Sequence, residues 1–150
     1  MKKQSQVIVK QTLENIKDAN GNLRFIEGNG IVNAVEGITI IYGKWSLSGT
    51  HLMCVVVGTV ANGTVIPINT KIIDFAIPQW VFNKILSLAG SDIERKSFIL
   101  YASDYTTQTS NATFIKRAAA GYVAINISSA FTATKERNFS IQFDLLIDNE

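Results

Sequence analysis

The sequence has few of the residues on which metal centres and disulfide frameworks depend. Its 150 residues include one histidine, one cysteine and two prolines. A single histidine and a single cysteine exclude the usual zinc ligand sets, and no acidic loop of the calcium-binding type is present. One cysteine also excludes a disulfide within the chain. We therefore expect no metal site and no disulfide framework.

Charge is also scarce. Charged residues make up 17% of the chain and apolar residues 47%, and fourteen basic against twelve acidic residues give a net charge of +2. Proteins that bind nucleic acid usually present a strongly basic surface to the phosphates, which this balance does not supply. The apolar composition argues against disorder and favours contacts between copies of the chain. We therefore expect an oligomer without a nucleic-acid partner.

Long apolar runs are missing as well. No run approaches the roughly 20 residues of a membrane-spanning helix. The opening MKKQSQ is not followed by the apolar segment of a signal peptide. The sequence therefore predicts no membrane insertion and no secretory signal. A chain of this length is expected to form one self-supporting domain.

Signals for β-strands dominate from Ile31 onward. Residues 38–58, ITIIYGKWSLSGTHLMCVVVG, place two apolar runs around a compact polar connection, which is typical of two paired strands. The second run is apolar on both faces, as in a central strand. The last strand, at 139–147, alternates strictly between apolar and polar residues. Further strands are predicted at 31–35, 65–68, 71–76, 96–102, 112–117 and 122–128.

Seven to nine strands without alternating helices predict a mainly β fold, an antiparallel jelly-roll-like β-sandwich over residues 31–150. Residues 1–30 are predicted to be an attachment segment with a short helix at 4–18, where apolar residues recur at helical spacing. Within that segment, Gly28-Asn29-Gly30 is interpreted as a turn, because the further glycine and helix of a dinucleotide-binding motif do not follow.

Residues 78–89 fit two structures equally well. A proline at the start, apolar residues at helical spacing and Gly90 just beyond the end fit a short helix. The same residues also fit an ordered connection packed across the sheet. Both alternatives remain open from the sequence.

The reactive side chains do not form a catalytic motif. His51 follows Ser48 by three residues, and Asp104 would complete a serine-nucleophile triad, but SGTH does not match a nucleophile elbow. A hydrogen-bonded histidine at a strand start is the simpler interpretation. Cys54 lies in the apolar run LMCVVVG and is predicted to be buried. We expect no enzyme activity, no catalytic residues and no cofactor.

Aromatic residues in polar loops are the remaining functional signal. Trp45 lies beside Lys44, and Tyr101, Asp104 and Tyr105 surround the polar loop SDYTTQTS. They combine aromatic faces with hydrogen-bonding groups, which a neutral sugar requires of a protein surface. These five residues are the predicted saccharide contacts, with a core position as the alternative for Trp45.

Four segments together carry a resemblance to a known family. They are LENIKDANGNLRFIEGNG near the start, the strand pair ITIIYGKWSLSGTHLMCVVVG, the Ile77-Pro78 step after a strand, and the closing GYVAINISSAFTATKERNFSIQFDLLID. The combination resembles the trimeric head or tip modules of bacteriophage fibre, tail and baseplate proteins. That resemblance implies a jelly-roll-like sandwich, a homotrimer, and a host-surface saccharide or protein as ligand, often at subunit boundaries.

The resemblance further implies a virion protein, assembled in the host cytoplasm and attached to other virion proteins through residues 1–30. Fibre proteins commonly carry a long repetitive shaft, and this chain has at most about two heptads, so it would be a short appendage. Two functions follow: non-enzymatic adhesion to the host surface, or a structural role as head fibre, decoration or connector. A cellular carbohydrate-binding or small hydrolytic sandwich is a third alternative, because a fold does not specify function.

Overall fold

The computed structural model describes residues 26–32, 35–86 and 92–148. These residues form ten strands and one short helix: β1 (Ile26–Val32), β2 (Ile38–Ser48), β3 (His51–Val60), β4 (Val65–Ile66), β5 (Thr70–Phe75), α1 (Gln79–Lys84), β6 (Asp92–Tyr101), β7 (Thr107–Arg117), β8 (Tyr122–Ile127), β9 (Phe131–Thr132) and β10 (Arg137–Leu146). The helix predicted at 4–18 lies outside the described residues.

Eight strands form one closed antiparallel barrel in the order β1-β2-β3-β10-β6-β7-β8-β5, and β4 pairs separately with β9. The mainly β, antiparallel prediction is confirmed, but the main sheet closes on itself instead of forming the two sheets of a sandwich. Strand β1 closes it, because residues 26–29 pair with β2 and residues 30–32 pair with β5. Residues 26–30 of the predicted attachment segment therefore belong to the barrel.

The glycines of β1 explain how this strand changes neighbours. Gly28 and Gly30 lie inside the strand, so the prediction of a turn there is wrong. A Cβ added at Gly28 would overlap the Trp45 indole, and one at Gly30 would lie 2.5 Å from Cδ1 of Ile73. Because glycine leaves this space free, β1 packs closely over large core side chains as it crosses from β2 to β5.

The hairpin predicted at 38–58 is confirmed. Strands β2 and β3 pair from Ser48 opposite His51, beside the turn, to Ile38 opposite Val60 at the other end. The register shifts once, between Ile40 and Tyr42. Their turn is tight, and Gly49 has a φ of 63°, a conformation that favours glycine. Strand β10 pairs with β3 over all ten of its residues, so β3 has a neighbour on each edge. Its inner face is buried, but its outer face is only half-buried, so the coverage of both faces that the apolar pattern predicts is incomplete.

Side chains fill the barrel interior. Leu47, Leu52, Phe114 and Phe143 are fully buried, and the two phenylalanine ring centres are 5.7 Å apart. A cavity among core residues contributed by the barrel strands β2, β3, β5 to β8 and β10 and by the β4–β9 pair holds only about 10 Å³. This interior cavity is too small for a ligand of sugar size, and larger cavities lie on the outer surface of the barrel.

Helix α1 covers part of the segment that the sequence left open. Residues 79–84 are helical after Pro78, and Ile85 is already extended. Lys116 holds the end of the helix to β7, because its Nζ donates to the Ile85 carbonyl at 2.8 Å and lies 4.8 Å from the Phe82 ring centre. Burial lowers the pKa of Lys116. In the described part of the chain, no helix has the length and apolarity needed to cross a membrane.

Candidate functional site

The alternation of strand β2 places Lys44 and Trp45 on opposite faces of the sheet. Trp45 is 4% exposed and packs inside the barrel, where its Nε1 has no hydrogen-bond partner in the part of the chain that the structure describes. Lys44 lies on the outer face, with its Nζ 5.3 Å from the centre of the Tyr42 ring. This interior position keeps Trp45 out of reach of a ligand on the surface. It agrees with the alternative that the sequence left open for Trp45, a position in the core.

Asp104 and Tyr105 lie in the turn between β6 and β7. Asp104 pairs with Lys135 and accepts hydrogen bonds from the hydroxyl and the backbone N–H of Thr106, at 2.6 and 3.1 Å. The hydrogen bond from Lys135 is the largest cause of the lowered pKa of Asp104, and the hydrogen bonds from Thr106 lower that pKa further. Tyr105 is 89% exposed and has a φ of 65°. Residues 107–110 of the predicted loop already belong to β7.

The triad considered from the sequence is not assembled. His51 begins β3 and its Nε2 lies 2.9 Å from an Asp144 carboxylate oxygen, which lowers the pKa of Asp144. Asp104 is instead paired with Lys135. Cys54 is buried in the core, as predicted, and burial raises the pKa of its thiol. Within the described ranges, no cluster of three metal-ligating His, Cys, Asp or Glu side chains occurs.

A polar basin of about 490 Å³ opens on the outer face of β6, β7 and β8. The residues that line this polar basin are Ile68, Asn69, Arg95, Lys96, Ser97, Asn111, Thr113, Arg117, Asn126, Ser128 and Ser129. Nearly all of them carry a hydrogen-bonding side chain. The polar basin is therefore a concave surface rich in hydrogen-bonding groups.

The register of three strands builds the polar basin. Arg95 lies opposite Thr113, and Thr113 lies opposite Asn126, so the three side chains form one row across β6, β7 and β8. In the next row Ser97 donates to the Asn111 amide oxygen at 2.6 Å. This hydrogen bond orients the two side chains relative to each other.

Asn126 is the residue of the polar basin whose hydrogen bonding is incomplete. It is 8% exposed, and its Oδ1 is buried without a hydrogen-bond partner among the described residues. Leaving a buried acceptor unpaired costs about 1–3 kcal/mol. Asn126 lines the polar basin, so a ligand hydroxyl could pair with this oxygen once the groups that cover it move aside, and the residue favours a ligand with hydrogen-bond donors.

Next to the polar basin, strands β6 and β10 diverge. They pair at only two positions, Asn138 with Tyr101 and Phe139 with Leu100. Beyond these pairs a groove of about 570 Å³ opens, which we call the seam groove; it is lined by Val57, Lys96, Ser97, Phe98, Ile99, Tyr101, Asn138, Phe139, Ser140 and Gln142. Lys96 and Ser97 line both cavities, so the polar basin and the seam groove adjoin.

The two cavities differ in chemistry. Phe98 and Phe139, with ring centres 5.9 Å apart, are mostly buried beneath the seam groove. Tyr101 is 51% exposed on its wall. Tyr101 is thus the predicted saccharide contact that the structure places beside a cavity, whereas Asp104 and Tyr105 line neither cavity.

Neither a protein-family model nor a curated protein matches this chain. The interpretation of the two cavities therefore depends on their own chemistry. Sequence reasoning missed Ser97, Asn111 and Asn126, because they come from three strands that only the register brings together. One signal was visible: Asn126 interrupts the otherwise apolar run YVAINI, where a buried asparagine needs hydrogen-bond partners.

Proposed function

We propose that this protein is a non-enzymatic binding module that recognises a saccharide at the polar basin. The buried, unpaired amide oxygen of Asn126 carries this proposal. Each sugar hydroxyl both donates and accepts hydrogen bonds, so it can pair with Asn126 and with the serine and asparagine side chains around it. The volume of the polar basin lies within the range of about 300–1,000 Å³ that small-ligand sites occupy.

The lining of the polar basin supports binding without chemistry. The described lining residues include no Asp, Glu, His or Cys. A glycosidase needs two carboxyl groups on either side of the sugar bond, and most general acid–base catalysis needs a histidine or a carboxylate. We therefore propose a protein that holds its ligand and does not convert it.

The resemblance to bacteriophage modules gives this binding a biological setting. We propose a homotrimeric head module of a fibre, tail or baseplate that adheres to a saccharide on the host surface. Four exposed apolar residues on the neighbouring strands β1 and β2 support contacts between copies, since such a group is unusual on a monomer; they are Ile31, Val32, Ile41 and Tyr42.

The same exposed apolar residues favour a second candidate, a structural virion protein that bridges other virion proteins. The position of the protein in the particle separates the two functions. Electron cryomicroscopy of the virion would place an adhesion module at a distal tip and a connector between other proteins. A distal position without saccharide binding would contradict both.

A glycan array followed by calorimetry tests the saccharide-binding function. We expect the assembled protein to bind a saccharide of the bacterial surface, and Asn126→Ala to weaken that binding about tenfold, because one buried hydrogen bond to the ligand is lost. Asn62→Ala is the matched control: Asn62 is exposed and lies in neither cavity, so binding should not change. Absence of saccharide binding by the assembled protein would contradict the proposed function.

A further inference from the structure

The polar basin has an exposed apolar side chain on its rim. Ile68 is 60% exposed, and the other described lining residues all carry polar side chains. An apolar group of a ligand that covers this isoleucine removes apolar surface from water, which is favourable. The polar basin therefore favours a ligand that carries a small apolar group beside its hydrogen-bonding groups.

A short turn holds Ile68 beside the polar basin. The Thr70 hydroxyl donates to the Pro67 carbonyl at 2.6 Å, and Asn69 has a φ of 63°. The Asn69 N–H donates to the Ile127 carbonyl at 2.9 Å, which joins the turn to strand β8. Together with the fixed φ of the proline, these hydrogen bonds restrain the backbone that carries Ile68.

The same hydrogen bond brings Ile68 near Asn126. Ile68 precedes Asn69, and Asn126 precedes Ile127, so each lining residue is the chain neighbour of one member of the bonded pair. Because consecutive Cα atoms are about 3.8 Å apart and bonded strand partners about 5.5 Å apart, the Cα atoms of Ile68 and Asn126 are separated by at most about 13 Å. Both side chains line the polar basin. One small ligand group can therefore contact both.

The amide oxygen of Asn126 favours an N–H donor over a hydroxyl. This oxygen is buried and accepts no hydrogen bond from the described residues. A hydroxyl brings an oxygen whose own lone pairs need donors, whereas an amide nitrogen makes its one hydrogen bond and has no lone pair to satisfy. A donor reaches the oxygen once the groups that cover it move aside, and the donor with fewer unmet hydrogen bonds loses less on burial.

We propose that the ligand is a saccharide with an acetamido group, as in an N-acetylated sugar. The amide N–H of the ligand donates to the Asn126 amide oxygen, and the acetyl methyl group packs on Ile68. Hydroxyls of the same sugar bind the serine and asparagine side chains elsewhere in the polar basin. This inference rests on the proposed saccharide-binding function and adds the substituent that the polar basin selects.

Titration calorimetry with matched sugars tests the acetamido group. The ligands are the methyl glycosides of N-acetylglucosamine, N-acetylgalactosamine and N-acetylmannosamine. Each is compared with its N-formyl analogue, which lacks the methyl group, and with the parent sugar, which has a hydroxyl in place of the amide. We expect at least one N-acetyl sugar to bind about tenfold more tightly than its parent sugar and about fivefold more tightly than its N-formyl analogue.

Substitutions assign the two contacts. Ile68→Ala should weaken N-acetyl binding about fivefold and leave N-formyl binding unchanged, because only the methyl group touches this side chain. Ile68→Leu should retain most of the affinity and verifies that the turn tolerates a change. Asn126→Ala should weaken N-acetyl and N-formyl binding alike. Val65→Ala is the matched control, since Val65 is 65% exposed and lines neither cavity.

The outcomes separate this inference from the proposed function. Equal affinity for N-acetyl and parent sugars, with both weakened by Asn126→Ala, would overturn the acetamido ligand and leave saccharide binding in place. Equal losses of N-acetyl and N-formyl binding in Ile68→Ala would overturn the methyl contact. N-acetylethanolamine has the acetamido group without a sugar and should bind about tenfold more weakly than the N-acetyl sugar. If it binds as tightly, or if no sugar binds, the proposed function fails as well.

Discussion

Asn126 illustrates how a residue suited to binding a ligand can lower the stability of the folded protein. Its side chain is almost completely buried, but its amide oxygen accepts no hydrogen bond from the described residues. An acceptor that is shielded from solvent and left unpaired lowers the stability of the folded state. A residue that lowers stability in this way is expected where a ligand completes its hydrogen bonding. The effect on the free energy of unfolding should be measurable.

Replacement of Asn126 by valine should therefore affect stability and binding in opposite directions. Asn126→Val removes the unpaired acceptor and introduces a β-branched residue that strands favour. We expect the free energy of unfolding in urea to stay equal or to rise by about 1 kcal/mol, while sugar affinity falls. Asn62→Val serves as the exposed control. A loss of more than about 2 kcal/mol would mean that Asn126 has a structural role.

A second prediction at the scale of single residues concerns Gly28 and Trp45. Because an added Cβ at Gly28 would overlap the Trp45 indole, Gly28→Ala should lower the free energy of unfolding by about 1–3 kcal/mol. In the Trp45→Phe background the smaller ring leaves room, and the same substitution should cost less. A double-mutant cycle by urea denaturation measures this coupling. Equal costs in both backgrounds would show that close packing on Trp45 is not why glycine is needed.

At the scale of elements, the seam between β6 and β10 is the part of the barrel where neighbouring strands are paired least. Strand β10 pairs with β3 along its whole length and with β6 at only two positions. Successive residues of a strand direct their backbone groups to opposite edges. Ile147 N–H donates to Thr50 on the β3 side, and Asp148 N–H donates to Lys84 on the other side. The even-numbered amides of β10 therefore face the seam.

Amide hydrogen exchange should reveal this arrangement. We expect the amides of Gln142 and Asp144, which face the seam, to exchange faster than those of Ile141 and Phe143, which face β3, because the former have no strand partner among the described residues. Nuclear magnetic resonance of the protein in deuterated buffer resolves the individual amides. Uniform protection across residues 141–144 would contradict an open seam.

Some elements were predictable from the sequence because their signals are local. The hairpin at 38–58 and the last strand have strong patterns, and the structure confirms both. Gly28-Asn29-Gly30 was misread because the role of a glycine in a strand depends on a distant neighbour, here Trp45. The closure of the barrel and the polar basin depend on long-range register, which residue patterns do not encode directly. Among the five predicted sugar contacts, Tyr101 lies on a cavity wall.

At the scale of the whole molecule, side chains fill the interior of the barrel. The proposed ligand binding and the proposed contacts between copies therefore both use the outer surface. The polar basin and the seam groove lie over β6 to β8 and the seam with β10. Four of the exposed apolar residues lie on β1 and β2. Of these, Tyr42 lies opposite Val57, which lines the seam groove, so contacts between copies through β2 would border the seam groove, whereas the polar basin lies farther away, over β6 to β8.

Assembly can be tested apart from binding. We expect a homotrimer in solution by size-exclusion chromatography with multi-angle light scattering. Ile41→Glu should shift the protein toward the monomer, because a carboxylate in an apolar interface loses its hydration. Ile68→Glu provides an equally exposed apolar control on the rim of the polar basin. A wild-type protein that stays monomeric at micromolar concentration argues against the trimeric head module.

Chemical-shift mapping of the isotope-labelled protein tests the binding account most directly. As a saccharide that binds on the glycan array is added, we expect the side-chain amide signals of Asn111 and Asn126 and the backbone signals of Ser97 and Tyr101 to shift together and to saturate. Signals from the turn around Gly49, at a distance from both cavities, should stay in place. Saturable shifts confined to that turn or to other surfaces, with Asn126 unmoved, would contradict the polar basin as the saccharide-binding site.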